Sequence, residues 1–133
     1  MLKKTITYQD YNGNEITEDF YFNLSKAEVT EMELSRTGGL SKYIERIVAA
    51  KDVPAIINEF KYLVLKSYGV KSEDGKRFIK SEELSQAFAQ TEAYTELFVE
   101  LVSDAEAAVK FVNGIIPNPK GVENKTLPLN KGI

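Results

Sequence analysis

Residues 3 to 22 alternate with period two: Ile6, Tyr8, Ile16, Phe20 and Phe22 occupy even positions, and Thr5, Thr7, Gln9, Glu15, Thr17 and Asp19 occupy odd ones. Such alternation gives a strand pair one buried and one wet face. Asn12-Gly13 lies between the two runs and marks a hairpin. A two-residue Asn-Gly turn would pair Tyr11 with Asn14, an odd sum that sends the two apolar sets to opposite faces. The alternation therefore predicts a three-residue connection, Tyr11-Asn12-Gly13. Gly13 should then be left-handed in a bulge, with Asp10 opposite Asn14.

Beyond the hairpin the period changes to that of helices. Leu24-Ser25-Lys26-Ala27-Glu28-Val29 contains an N-cap (Ser25), a capping-box partner (Glu28) and a Leu24 to Val29 staple. This helix is expected to end near Thr37-Gly38-Gly39. Leu40, Tyr43, Ile44, Ile47 and Val48 form the stripe of a second helix ending at Lys51. Asp52-Val53-Pro54 starts a third, with Ile56, Ile57, Phe60, Leu63 and Val64 inward and Tyr62 and Leu65 as surplus apolar surface. It reads as the central helix, terminated at Gly69. Residues 70 to 80, with a turn at Glu73-Asp74-Gly75-Lys76, read as a second small hairpin that returns Phe78 and Ile79 to the core.

Ser81 caps a helix to about Gln90 with Leu84, Ala87 and Phe88 inward, and Thr91 caps another with Tyr94, Leu97, Phe98, Leu101 and Val102 inward. Ser103-Asp104-Ala105-Glu106 repeats the capping-box pattern and suggests a last helix through Asn113-Gly114. One continuous helix from Glu92 is the competing reading. The expected fold class is α+β, mostly α: an N-terminal β-hairpin (3 to 22) and about five or six short amphipathic helices (25 to 116) in one globular domain of residues 1 to 116. Residues 117 to 133, with Pro117, Pro119 and Pro128, lack periodicity and are expected to form a flexible tail.

Composition bounds the chemistry. The 133 residues contain no cysteine and no histidine. Disulfides, thiolate metal sites and imidazole-assisted catalysis are thereby excluded. No carboxylate pair is singled out for acid-base work, so the chain reads as a non-enzyme without cofactor, metal or small-molecule substrate. The most apolar segment, Ala55 to Tyr68, is interrupted by Asn58, Glu59, Lys61 and Lys66, which argues against a membrane span. With no apolar leader, the expected compartment is a cytosol. The net charge of -3 divides into +2 on residues 117 to 133 and -5 on the rest, a poor match to nucleic acid.

Two loops imitate ligand sites. Asp10 to Glu15 begins like a calcium loop, but Glu15 stands where glycine is needed and Tyr21 where a bidentate Glu belongs. Gly69 to Arg77 resembles a phosphate loop with the wrong spacing, and Arg77 replaces the Ser or Thr. The lysines and Arg77 around them are interrupted by Glu73 and Asp74. Both loops read as turns. The most unusual charge pattern is Glu92, Glu96, Glu100 and Asp104 at i, i+4 spacing, with no Lys or Arg from 91 to 109. Three like-charge pairs oppose the helix by roughly 1 kcal/mol in total. The row is either a solvated face or a docking strip for a basic partner, and Tyr62 with Leu65 is the other candidate contact surface.

The stretches DYNGNE (10–15), EDFYFNLSKAE (18–28), KSYGVKSEDGKRFIKS (66–81), TEAY (91–94) and FVNGIIP (111–117) resemble the tail assembly chaperones of long-tailed, siphovirus-type phages and prophages of Gram-positive bacteria. The resemblance spans about residues 4 to 117 and carries no catalytic residues. It implies a protein that self-associates in the host cytoplasm, coats or solubilises the tape measure protein and assists tail-tube subunits to polymerise around it. It further implies absence from the finished virion. In many such phages a frameshifted longer form adds an extension that recruits tail-tube subunits. The alternative function is a small non-enzymatic adaptor or regulatory protein-binding module of a prophage.

Overall fold

The computed structural model describes residues 1–35 and 39–117, with backbone only for Leu34, Ser35 and Ser41. The order is β1 (Leu2–Gln9), β2 (Glu15–Phe22), α1 (Lys26–Ser35), α2 (Leu40–Ala49), α3 (Val53–Ser67), β3 (Tyr68–Lys71), β4 (Phe78–Ile79), α4 (Glu82–Ala89), α5 (Glu92–Ser103) and α6 (Ala105–Ile115). A mostly helical chain behind an N-terminal hairpin is thus observed, as the two periodicities require. The expectations for residues 36–38 and for the tail from 118 onward lie outside the described residues.

The hairpin turns through three residues. Gln9 pairs with Glu15 and Tyr8 with Ile16, which keeps the even residues of both strands on one face. Asp10 donates its N–H to the Asn14 carbonyl at 2.8 Å and accepts from Gly13 N–H at 3.0 Å, with Gly13 at φ +85. Burial of one face decides the register against the local preference of Asn-Gly for a shorter turn. The second hairpin does more than return the chain to the core, because β3 also pairs with β2, Tyr21 opposite Gly69 and Phe22 opposite Tyr68. Among the described residues the result is a four-stranded antiparallel sheet in the order β1-β2-β3-β4.

Helix boundaries follow the capping chemistry. Ser25 Oγ accepts from Glu28 N–H at 3.1 Å while Glu28 Oε1 accepts from Ser25 N–H at 2.8 Å, a complete capping box. At the N-terminus of α2 the donor Leu40 N–H reaches Glu33 Oε2, 3.4 Å away on α1. The α2 end closes through Lys51 N–H to Val48 O and Asp52 N–H to Ile47 O, both 3.1 Å, with Lys51 at φ +55. That is a Schellman motif in which lysine occupies the position usually held by glycine. Asp52, Ser81 and Thr91 cap α3, α4 and α5.

Four expectations are corrected. The chain between Glu92 and Ile115 is broken, but the capping residue is Asp104, which accepts from Glu106 and Ala107 N–H at 3.0 and 3.2 Å. Ser103 instead bonds back to the Val99 carbonyl at 2.6 Å, inside its own helix. Gly69 does not terminate α3. Ser67 is the last helical residue and Tyr68 begins β3 with no intervening loop, so Gly69 lies in a strand, where a Cβ would come within 2.7 Å of Ile79 O. Ile57 and Ala87, placed inward by periodicity, are exposed, whereas Ala93 is fully buried. The true inward face of α3 is rotated toward Phe60, Leu63, Val64 and Ser67.

The core joins the even face of the sheet to all six described helices, α1 contributing Met32. Phe22 at its centre is fully buried, edge-on to Phe88 (5.8 Å between ring centroids) and Phe111 (5.4 Å), and Phe88 stacks on Tyr68 at 4.4 Å. Each aromatic pair adds about 0.5–1.5 kcal/mol beyond area burial. Phe22 and Phe88 therefore tie strand, α4 and α6 into one unit.

Candidate functional site

Two surfaces collect the residues that are neither core nor cap. The first is an open groove of about 680 Å³ between α3 and α4, bordered by Glu28 of α1. Because α3 buries Phe60, Leu63 and Val64, the i+1 and i+2 positions that follow, Lys61, Tyr62, Leu65 and Lys66, are left to line the groove. Tyr62 is 42% exposed and Leu65 half-buried, so the apolar surface expected here exists and lies in a concavity. Ser85 Oγ donates to the Leu65 carbonyl at 2.9 Å and holds α4 against α3.

At the groove's end Lys80 Nζ donates to Glu28 Oε1 at 2.7 Å. Burial pushes the Glu28 carboxyl up, but the Lys80 ammonium, the Ser25 N–H and the charge of Lys66 outweigh it and hold it below its usual range. Lys61 and Lys66 add positive charge beside Tyr62 and Leu65, and Glu82 adds one carboxylate. No nucleophile-base pair is present among these residues. What the groove can do is bury apolar side chains and pair with carboxylates, within the size range of sites for side-chain clusters or small ligands.

The second surface is the acidic row. Glu92 Oε2 accepts from Tyr11 OH at 2.7 Å, which pushes the phenol up. Glu100 pairs with Lys4 at 3.3 Å. Asp104 is spent as the cap of α6. Lys4 and Tyr11 thereby lower the like-charge cost of the row, drawing α5 along β1. Glu96 is exposed and, with Glu100, walls a narrower groove of about 290 Å³ against Lys4, Thr5, Ile6 and Thr7. The row and the Tyr62–Leu65 groove share no lining residue.

The two imitation sites resolve into turns. Asp10 Oδ1 accepts from Asn12 and Asn14 N–H, both at 2.9 Å, inside the hairpin. Asp74 Oδ1 accepts from Ser72 Oγ at 2.6 Å and Lys76 N–H at 3.0 Å, and these bonds hold its carboxyl below the usual range. Among the described residues there is no group of three or more acidic, His or Cys side chains able to hold a metal. No helix among them is long and apolar enough to cross a membrane.

Sequence reasoning reached Tyr62 and Leu65 but missed Asn58, Ser85 and Gln86, which share their groove. The approach of α4 to α3 is a tertiary fact, and Ser85 gives no local signal of it. Comparison with curated proteins and with solved structures found no match. The family profile described as phage tail assembly chaperone matches residues 1–125, from the first strand through all six described helices. A hairpin-led helical domain with open contact surfaces is what the described part of that match covers, and the chain belongs to the phage tail assembly chaperone family.

Proposed function

We propose that the protein binds the tape measure protein through the α3–α4 groove and keeps it soluble while the tail tube polymerises around it. The observation that supports this reading is the half-exposed Tyr62 and Leu65 in a concavity flanked by Lys61 and Lys66. An amphipathic helix laid in such a groove buries its apolar face on Tyr62 and Leu65 and offers its flanking carboxylates to the lysines. Many weak copies of that grip along a long client amount to a coat, so the reading includes self-association, work in the host cytoplasm and release before the particle is finished. Tail-tube subunits are the second partner. The acidic row enters through Glu96, since Glu92, Glu100 and Asp104 are engaged within the chain.

Co-expression with the tape measure protein tests it. The wild-type chain should raise the soluble fraction of the tape measure protein and elute with it in large complexes. Tyr62→Ser combined with Leu65→Gln should lose most of that effect while the variant alone stays folded by circular dichroism. A tape measure protein equally soluble with and without this chain would refute the reading.

A further inference from the structure

Three of the eight glycines directly follow an asparagine or an aspartate: Asn12-Gly13, Asp74-Gly75 and Asn113-Gly114. At such a step the glycine nitrogen, unshielded by a Cβ, can attack the preceding side-chain carbonyl carbon and close a five-membered succinimide ring. The reaction requires the backbone of the first residue to turn until that nitrogen meets Cγ. The fold puts the three steps in three different settings.

Asn113-Gly114 lies inside α6, where the tilt of Cβ toward the helix N-terminus carries Asn113 Cγ away from the following nitrogen. The backbone around it is pinned. Leu24 N–H donates to Ile115 O at 2.9 Å and Ile116 N–H to Val112 O at 3.2 Å, and a Cβ on Gly114 would stand 2.9 Å from Leu2 Cδ1. Turning Asn113 therefore requires the end of α6 to leave the core. Asp74-Gly75 lies in a turn, but its side chain is tied: Oδ1 accepts from Ser72 Oγ at 2.6 Å and from Lys76 N–H at 3.0 Å. Those bonds favour the ionised carboxyl, the form that resists attack. Asn12-Gly13 has neither safeguard. It is exposed at the tip of the first hairpin, a Cβ on Gly13 would meet nothing within 4 Å, and among the described residues no hydrogen bond reaches the Asn12 side-chain amide. Its restraints are Gly13 N–H to Asp10 O at 3.0 Å and Asn12 N–H to Asp10 Oδ1 at 2.9 Å, and opening of the tip alone releases both.

We propose that Asn12 is a site of spontaneous covalent modification, which rebuilds the turn that sets the register of the first hairpin. The Gly13 nitrogen loses its proton to water and bonds to Asn12 Cγ, the Cγ–Nδ2 bond breaks, and ammonia leaves. Water, the only co-reactant, then opens the ring at either carbonyl. Opening at Cγ leaves aspartate at position 12. Opening at the main-chain carbonyl leaves isoaspartate, whose backbone runs through Cβ and Cγ and is one methylene longer. Aspartate keeps the three-residue loop and adds a negative charge beside Asp10. Isoaspartate lengthens the loop, so the bonds from Gly13 N–H to Asp10 O and from Asp10 N–H to Asn14 O no longer close together. The neighbouring Tyr11 OH donates to Glu92 at 2.7 Å, which carries the disturbance to α5.

Peptide mapping by mass spectrometry of the full chain, kept folded in warm neutral buffer, tests this with two internal controls. The expected result is ammonia loss and isoaspartate at Asn12, at a rate roughly tenfold or more above the rate of change at Asn113 or Asp74. In concentrated urea, where α6 is gone, Asn113 should catch up with Asn12. Asn12→Ser should abolish modification at position 12 and leave Asn113 as before. Asn12→Asp, which carries one of the two products, should keep the Asp10 amide as slow to exchange as in the unaltered chain. The isoaspartyl form, separated by ion-exchange chromatography, should exchange that amide roughly tenfold faster or more. An Asn12 that stays intact, or an Asn113 that reacts as fast as Asn12 in the folded chain, overturns the proposal. So does an isoaspartyl form whose Asp10 amide exchanges as slowly as that of Asn12→Asp.

Discussion

Lys51 occupies the left-handed region at φ +55 while its N–H and that of Asp52 close the α2 terminus. Crowding of its Cβ against the following carbonyl costs about 1 kcal/mol, and glycine avoids it at a smaller entropic loss. Lys51→Gly is expected to raise the free energy of unfolding by roughly 0.5 kcal/mol, read by urea denaturation. Two glycines set the opposite limit. At Gly69 a methyl group would meet the Ile79 carbonyl and the Phe78 ring, both at 2.7 Å, in a sheet with no room to move. At Gly114 it would meet the end of the Leu2 side chain, which can turn aside, and alanine gains about 1 kcal/mol of helix propensity. Gly69→Ala should therefore cost about 2 kcal/mol, whereas Gly114→Ala should fall near neutral. Thermal unfolding of the two variants in parallel separates them.

Among the elements, α1 is held at its start by the Ser25–Glu28 capping box and by the pairing of Glu28 with Lys80, which precedes α4. The folded Glu28 carboxyl lies below its ordinary value of 4.5, so its contribution is complete above that value and is lost as pH falls through the folded pKa. Lys80→Met should destabilise at pH 7 by less than about 1 kcal/mol, and the deficit should shrink below pH 4.5 as Glu28 is protonated. Urea titrations of both proteins at pH 7 and 3 check the sign. The caps Ser25, Asp52, Ser81 and Thr91 were all legible in the sequence, because capping is a contact within four residues. The register of the first hairpin was legible for a similar reason, since Ile6, Tyr8, Ile16, Phe20 and Phe22 state which face is dry. The pairing of β2 with β3 was not: Tyr21 opposite Gly69 spans three helices, and no local pattern in either segment names the other. Nor was the inward turn of α3 away from Ile57, which depends on where α2 and α5 press against it. Of the two candidate contact surfaces, Tyr62 and Leu65 showed as surplus hydrophobicity. The bonds from Tyr11 to Glu92 and from Lys4 to Glu100 could not show, because they join opposite ends of the chain.

For the molecule as a whole, the sheet is assembled from two hairpins separated by α1, α2 and α3, and its face is completed by Phe88 and Phe111 from the second half of the chain. An isolated two-stranded hairpin is marginal in water. A peptide of residues 1–24 is accordingly expected to show little strand structure by circular dichroism. In the intact chain the tyrosine near-ultraviolet signal and the helical far-ultraviolet signal should disappear in one coincident urea transition. Separated transitions would mean that the hairpin and the helices are independent units. The junction at Ser67 and Tyr68 carries this unity to the surface. With no loop to absorb a tilt, α3 acts as a lever arm whose outer side bears Tyr62 and Leu65 and whose end is a strand. Whatever settles in the groove therefore pushes on the sheet directly, and the sheet in turn sets how far the groove can yield.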